Sequence, residues 1–181
     1  MNEEELDRIA IERCRQGDLD AFGTLIDRYE RPVYNAILHM VGNAEDAREI
    51  CQQVFMKAFE HLDTYDANRR FFSWIYRAAI NESINHLKSR RQSEPLDDRL
   101  VYPQPDPAQT YEEAERCERL QKTIQSLDEN YRTVLILRHF VHLSYREMAD
   151  VLKVPEKMVK SRLFTARQLL RQALEGKGHV A

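Results

Sequence analysis

Basic and hydroxyl side chains are concentrated in the segment VPEKMVKSRLFTARQLLRQAL, residues 154–174. The segment holds a single acid, Glu156, and five cations: Lys157, Lys160, Arg162, Arg167 and Arg171. Lysine and arginine bind phosphates and guanine edges, and hydroxyl groups bind other base edges. These residue types therefore predict contact with DNA; a helix whose lysines are merely solvated is the alternative.

A second cluster, FFSWIYRAAINESINHLKSRR, residues 71–91, combines aromatic rings, amides and a basic end. Unpaired bases stack on aromatic rings for about 1–3 kcal/mol each, and a basic groove holds the strand. Asn81 and Asn85 stand one helical turn apart, where amides lower helix propensity. The pattern favours single-stranded nucleic acid, although a core role for Phe71, Trp74 and Ile75 remains open.

The first half of the chain must position the second cluster through helices. Helical spacing of apolar residues begins near residue 5, and Asp18 is expected to cap a second helix. Pro32 is expected in the first turn of a third helix. Asn43 or Ala44 should open a fourth, whose apolar face runs from Ala47 to Leu62. A polar loop, residues 63–70, then precedes a helix over residues 71–92.

The second half contains a two-helix motif. A helix is expected over residues 112–126, and Asp128 can cap the next one. Ser144 and Glu147 have the spacing of a capping box, which opens a short helix. That helix should stop before Pro155. The following helix has one buried stripe, formed by Val159, Leu163, Ala166 and Leu170, and a basic outer face. This arrangement predicts a helix-turn-helix.

Charge is segregated along the chain, although the net charge is only −3. Residues 71–93 carry four cations and one acid, and residues 119–181 carry twelve cations and six acids. Between them, residues 94–118 carry eight acids and two cations. Segregated positive charge is what nucleic-acid contact requires.

We therefore expect an all-α protein of two small helical domains, the second a helix-turn-helix. The expected bounds are residues 1–92 and 111–178, joined by a flexible, acidic, proline-rich linker at 93–110. No apolar run of about 18 residues predicts membrane insertion. The N-terminus has no secretory signal, and three widely spaced cysteines fit a reduced, cytoplasmic setting.

Four segments, in order, resemble the bacterial RNA polymerase sigma factors of the sigma-70 family, specifically the extracytoplasmic-function (ECF) group. GDLDAFGTLIDRYERPVYNAIL resembles region 2.1, and NAEDAREICQQVFMKAFEHLDTYD resembles region 2.2. FFSWIYRAAINESINHLKSRR resembles regions 2.3 and 2.4. LDENYRTVLILRHFVHLSYREMADVLKVPEKMVKSRLFTARQLLRQAL resembles region 4. The resemblance covers nearly the whole chain.

The resemblance implies three sets of site residues. Docking on the clamp coiled coil of the polymerase's largest subunit maps to Asp46, Glu49, Gln52, Gln53 and Phe55. Melting and capture of the minus-ten element map to Trp74, Tyr76, Arg77, Asn81, Asn85, Lys88, Arg90 and Arg91. Reading of the minus-thirty-five element maps to Lys157, Lys160, Ser161, Arg162, Phe164, Thr165 and Arg167.

The implied function is that of an alternative sigma factor, which directs promoter recognition, melting and transcription initiation. The implied partners are the polymerase core (through its clamp helices and flap), promoter DNA in duplex and single-stranded form, and an anti-sigma factor. The linker would run toward the RNA exit path, where its acids can mimic nucleic acid. Departures from the family pattern are Lys157-Met158 in place of Gly-Thr, Thr165 in place of a basic residue, and Arg48 and Gln53 in place of acids.

Two other functions compete with this interpretation. A helix-turn-helix regulator with an N-terminal sensor or dimerisation domain would share the C-terminal motif, but it would not need an aromatic and amide helix. An enzyme is not expected, because the sequence has no catalytic constellation, no phosphate-binding loop and no metal-ligand cluster. No cofactor is expected.

Overall fold

A computed structural model describes residues 2–66, 69–93 and 111–176, excluding the side chains of 91–93, 111, 112, 114 and 176. Within these residues the chain forms eight α-helices: α1 (Glu3–Arg15), α2 (Asp20–Val41), α3 (Ala44–Glu60), α4 (Phe71–Ser93), α5 (Tyr111–Gln125), α6 (Glu129–His139), α7 (Tyr145–Leu152) and α8 (Glu156–Gly176). A short 3-10 turn, Leu62–Thr64, follows α3. The prediction of an all-α protein is confirmed.

Polar caps set the boundaries of the first helices. The Asn2 side chain accepts from Glu5 N at 2.9 Å and opens α1. Asn43 accepts from Glu45 N at 2.8 Å, so it caps α3 as the sequence predicts. Between them, α2 ends at Gly42, whose φ of 78° lies in the left-handed region that glycine adopts readily.

The prediction of a helix boundary at Pro32 is wrong, since α2 runs through Pro32 without a break. Pro32 is exposed, so its ring does not disturb the packing of the core. Packing of α2 against α1, α3 and α4 offsets the roughly 3 kcal/mol cost of an interior proline. Asp18 is not the cap of α2 either. Its carboxylate pairs with Arg13 at 2.6 Å, and Leu19 occupies the capping position.

The helix-turn-helix forms as predicted. Asp128 caps α6 by accepting from Asn130 N at 3.0 Å, and Ser144 and Glu147 complete the capping box of α7. Lys153 adopts a left-handed φ of 52° between α7 and α8. Of the predicted stripe, Val159, Leu163 and Ala166 are fully buried and anchor α8 on α6 and α7, while Leu170 is half-buried.

Helices α1–α4 form one group around α2, and α5–α8 form a second group around α6 and α8. The two groups also contact each other, since α2 packs on α5 and α6 while α4 packs on α7. The predicted linker lies outside the described residues except for Ser93, and the predicted domain boundaries stay a prediction. None of the described helices combines the length and the apolar character that a membrane crossing requires.

Candidate nucleic-acid interface

The outer face of α8 is open to solvent. Lys160, Ser161 and Phe164 are all exposed, and the Phe164 side chain keeps 66% of its surface in water. The Lys160 ammonium lies 2.7 Å from Glu156, and this hydrogen bond raises the pKa of Lys160. The same ammonium stands 5.4 Å from the ring centre of Tyr145, the first residue of α7. Glu156 therefore pairs with Lys160, the cation that the sequence predicts to contact DNA.

The remaining α8 candidates divide into two groups. Lys157 and Arg167 are exposed, and Arg167 Nη2 lies 3.3 Å from His139 Nε2. Burial, then the charges of Arg167 and Arg138, lower the pKa of His139. Thr165 and Arg162 are half-buried, and Arg162 faces the first group of helices. The exposed members form one basic, partly aromatic surface.

The aromatic start of α4 lies mostly in the core. Tyr76 is only 2% exposed, and burial raises the pKa of its hydroxyl to about 12. Its ring packs on Phe72 with centroids 4.8 Å apart, so it offers no surface to a strand in this arrangement. Trp74 is half-buried, with its ring 5.2 Å from Tyr65 and 5.6 Å from Phe71. Tyr76 is therefore a core residue here, whereas Trp74 keeps part of its surface exposed, a difference that spacing alone did not reveal.

The amides and cations of α4 lie further along the helix. Asn81 and Asn85 are exposed, and Arg77 is half-buried. Lys88 pairs with Glu129 of α6 at 3.1 Å, and Arg90 pairs with Asp46 of α3 at 3.6 Å. The side chain of Arg91 lies outside the described residues.

The second group of helices covers part of this α4 surface. Arg77 and Asn81 line a narrow cleft whose other wall comes from α6, α7 and α8: Asn130, Thr133, Val151, Leu152 and Arg162. Arg70, just before α4, lies 3.8 Å from Glu147 of α7. No sequence pattern predicted this contact, because it joins residues about 50 to 80 positions apart.

The end of α2 contacts the second group of helices at a site that we call the socket, formed by Gln121, Leu127, Arg132 and Phe140. His39 Nδ1 lies 3.0 Å from Gln121 Oε1, while Gln121 Nε2 donates to the His39 carbonyl at 3.1 Å. The Arg132 guanidinium, 3% exposed, donates to Met40 O at 2.8 Å and to Leu127 O at 3.1 Å. The Phe140 ring lies 3.7 Å from the His39 ring, and burial lowers the pKa of His39.

The predicted polymerase-docking residues lie on α3. Glu49, Gln52 and Gln53 are exposed, whereas Phe55 is buried. The Asp46 carboxylate is half-buried, 3.1 Å from His86 Nε2 on α4. The exposed set therefore borders α4, which carries the predicted minus-ten residues.

A groove that the sequence did not reveal adjoins the α3 set. It runs between α2 and α3, and its apolar lining is Phe22, Ile26, Tyr34, Phe55, Met56 and Phe59. Met56 is 55% exposed and Phe59 is 41% exposed, although the periodicity placed Phe59 on the buried face. The residue that could have indicated this groove from the sequence was Met56, an apolar residue outside the helical repeat.

No group of three or more metal-ligating side chains occurs in the part of the chain that the structure describes. Cys14 and Cys51 are buried, and burial raises the pKa of the Cys51 thiol to about 11. Cys117 is exposed on α5. The surfaces suited to a ligand are therefore the basic, amide and apolar ones on α8, α4 and α3.

Two family models match these same helices. Sigma-70 region 2 matches residues 25–93, and Sigma-70, region 4 matches residues 117–170. The chain is similar to the RNA polymerase sigma-H factor of Pseudomonas aeruginosa, with 33% identity over 95% of both chains. It is 30% identical to the ECF RNA polymerase sigma factor SigW of Bacillus subtilis, over 91% of this chain and 94% of that one.

A solved structure supports the same relationship. CnrH in complex with the cytosolic domain of CnrY has a TM-score of 0.73 and 26% identity, and the match covers 94% of this chain and 98% of CnrH. The family matches together span α2 to α8 apart from short ends. The chain therefore belongs to the sigma-70 family of RNA polymerase sigma factors, within the extracytoplasmic-function group.

Proposed function

We propose that this chain is an alternative sigma factor that binds core RNA polymerase in the cytoplasm, selects promoters and melts them. Its α8 reads the upstream minus-thirty-five element in duplex form. Its α4 captures the minus-ten element as a single strand. The chain supplies recognition and strand capture, while the polymerase supplies catalysis.

The observation that carries this proposal is the presence of two nucleic-acid surfaces of different chemistry in one chain. Lys160, Ser161 and Phe164 extend from a helix-turn-helix, which suits the major groove. Asn81 and Asn85 stand exposed on α4, downstream of the half-buried Trp74. Amides beside an aromatic ring suit unstacked bases, which a duplex reader does not need.

Polymerase docking is assigned to the exposed side of α3. Glu49, Gln52 and Gln53 supply polar contacts at the rim, and the groove beside Met56 and Phe59 supplies apolar area. An apolar centre with a polar rim is the usual anatomy of a protein interface. Asp46 acts through its contacts with His86 and Arg90, which couple the docking helix to α4.

An anti-sigma factor is the second protein partner that we propose. CnrH, a similar chain, has been solved with the cytosolic domain of CnrY. The upstream specificity should differ from that of family members with Gly-Thr at the start of α8. Here Lys157 and Met158 take those positions, and the Glu156 carboxylate stands one turn from Lys160.

The proposal is tested by opening of a promoter with reconstituted holoenzyme. We expect Asn81→Ala or Asn85→Ala to abolish most opening while core binding is unchanged. Both side chains are exposed, so the free energy of unfolding should change by no more than about 0.5 kcal/mol. Asn35→Ala, the same change on the exposed side of α2, is the matched control and should open the promoter normally.

Permanganate reactivity of thymines in the minus-ten element measures opening, and gel-filtration binding to core measures docking. Normal opening by both variants would remove α4 from strand capture. Tight, sequence-specific binding of the promoter by the chain without core would replace the whole proposal with an ordinary helix-turn-helix regulator.

A further inference from the structure

Helix α1 lies outside both segments that match the family models, yet it contacts both ends of the connection between α3 and α4. At the near end, Arg15 contacts the turn that follows α3. At the far end, Glu4 pairs with Arg70 at 2.7 Å, directly before α4 begins. The connection is therefore held from one helix that precedes the recognised family regions.

Arg15 is the stronger of these two contacts. Its Nη2 donates to Leu62 O at 3.0 Å, to Asp63 O at 3.4 Å and to Tyr65 O. Its Nε also donates to Leu62 O at 3.3 Å. A guanidinium fork carries several donors and can therefore hold several backbone carbonyls of one turn at once. One half-buried side chain thus fixes the backbone from Leu62 to Tyr65.

The position of Tyr65 sets the surroundings of Trp74. The Tyr65 ring is buried, and it packs 5.2 Å from the Trp74 ring and 6.0 Å from the Phe71 ring. Its hydroxyl donates to Arg69 O, which ties the two sides of the connection together. A shift of the Tyr65 backbone would therefore move the surface on which Trp74 rests.

Helix α1 is itself firmly attached to the first group. The buried Asp7 carboxylate accepts from Tyr29 Oη and from Arg28 Nη1 of α2. The Tyr29 ring in turn lies 5.4 Å from the Phe71 ring. By contrast, the Glu4–Arg70 pair is about half exposed, and such pairs contribute little. Besides the buried route through Asp7, Tyr29 and Phe71, a second route from α1 to α4 runs through Arg15 and Tyr65 to the Trp74 ring.

We propose that Arg15 is a positioning residue for promoter melting. It acts through Tyr65, which sets the orientation of Trp74 at the start of the strand-capturing helix. The inference rests on the proposed function in assigning strand capture to that part of α4. It adds α1, which lies outside the matched family regions, to the elements that position the strand-capturing part of α4.

Fluorescence offers a direct readout, because Trp74 is the single tryptophan of the chain. We expect Arg15→Ala to change the emission intensity and maximum of Trp74 while the far-ultraviolet dichroism stays helical. We expect Arg15→Lys to restore the signal only in part, because an ammonium lacks the planar fork that reaches several carbonyls. Arg13→Ala is the matched control, since Arg13 is on the same helix and forms an exposed pair with Asp18. It should leave the emission unchanged.

With holoenzyme, we expect Arg15→Ala to slow opening by up to about a hundredfold, the loss that a misplacement of about 1 Å can cause, at unchanged core binding. Arg15→Lys should fall between the wild type and Arg15→Ala in both emission and opening. Full opening by Arg15→Lys without recovery of the emission would overturn the proposal, because positive charge alone would then suffice. Unchanged emission in Arg15→Ala would overturn it as well. If Arg15→Ala does not fold, Arg15→Lys against Arg13→Ala decides the same question.

Trp74→Ala separates failure of this inference from failure of the proposed function. Defective opening by Trp74→Ala, together with altered emission and normal opening in Arg15→Ala, overturns the positioning role alone. Normal opening by Trp74→Ala removes Trp74 from strand capture, and the proposed function then fails at that residue whatever the fluorescence shows.

Discussion

The two predicted DNA surfaces of this chain differ in how accessible they are. On α8, Lys160, Ser161 and Phe164 face solvent, and Glu156 pairs with the Lys160 cation. On α4, Arg77 and Asn81 line a cleft whose other wall belongs to the second group of helices, and Lys88 is paired with Glu129 across that contact. The α8 surface is therefore open to solvent, whereas the α4 surface is partly covered by the second group of helices.

The difference follows from the apolar residues that each helix must bury. Helix α8 has one stripe, of which Val159, Leu163 and Ala166 are buried against its neighbours and Leu170 is half-buried. Helix α4 buries Ile75 and Ala79 in the first group, but Ile80 and Ile84 line the cleft beside Asn81. Val151 and Leu152 of α7 complete that apolar contact. The α4 isoleucines and amides therefore share one side of the helix, and the cover over the isoleucines reaches Asn81.

Loss of the Lys160 cation should have the largest effect on the open surface. We expect Lys160→Ala to weaken promoter binding by holoenzyme roughly tenfold, since a base or phosphate contact of this kind is lost. A base contact would relax preference at one base pair. A phosphate contact would instead weaken all sequences alike and lower the salt slope by about one ion. Affinity on singly substituted upstream elements, across a salt series, distinguishes the two cases.

Helix α5 offers the matched control for Lys160. Lys122 and Glu118 form an ion pair with the same spacing and the same 2.7 Å distance as Lys160 and Glu156. Lys122→Ala should leave promoter affinity unchanged. Glu156→Gln should tighten binding, because it frees Lys160 and removes a charge that repels phosphate, and Glu118→Gln should not. Equal effects at the two pairs would mean that α8 carries only a solvated basic face.

Separation of the two groups of helices should expose the α4 surface. A substitution at Gly42 should favour this separation. A Cβ at Gly42 would lie 2.1 Å from the end of the Gln125 side chain on α5, which must then move. Gly17 also has a positive φ, 96° against 78°, but no atom lies within 4 Å of its Cβ position. Both alanine substitutions introduce left-handed strain of about 1–2 kcal/mol, and only Gly42→Ala disturbs the contact.

We therefore expect Gly42→Ala to raise binding of a single-stranded minus-ten oligonucleotide by the free chain. An additional 1 kcal/mol or so against closure corresponds to about fivefold in the open fraction. Gly17→Ala should only lower the melting temperature. Adding Gln125→Ala to Gly42→Ala should remove the increase in oligonucleotide binding, because the side chain that clashes with the new Cβ is gone. Fluorescence anisotropy measures binding, and no difference between the glycine variants would contradict the idea that closure covers α4.

Local patterns predicted much of this molecule, and long-range contacts account for what they missed. Asn43, Asp128 and the Ser144–Glu147 box marked helix starts correctly, because capping depends on residues within one turn. The helix-turn-helix and the exposed side of α8 followed from a 3.6-residue period. Pro32 misled, because its exposure in the folded chain makes an interior proline tolerable, and exposure is a tertiary property.

The candidate site was predictable as residue types but not as geometry. The spacing of Trp74, Tyr76, Asn81 and Asn85 indicated a strand-capturing helix, yet it could not show that Tyr76 is buried while Asn81 lines a cleft. Arg15 and Arg132 carried no sequence signal at all. Each donates to backbone carbonyls distant in sequence, and a carbonyl acceptor leaves no trace in residue identity.

The smallest effect should come from pH, through His39 in the socket. Burial lowers the pKa of His39, whose ordinary value is about 6.5, although the Gln121 hydrogen bond opposes this shift. Once the groups separate, His39 regains water and binds a proton more readily. The separated state therefore binds more protons, and closure weakens as pH falls below about 6.5, with no pH dependence from this group above about 7.5.

Small-angle scattering and oligonucleotide binding from pH 7.5 to 5.5 should detect this opening, and His39→Gln should abolish most of it. His139, whose pKa is also lowered, contacts Arg167 within the second group. His139→Gln should therefore change the pH dependence of unfolding but leave that of opening intact. If the radius of gyration expands equally in the wild type and in His39→Gln on acidification, protonation of this histidine does not control access to α4.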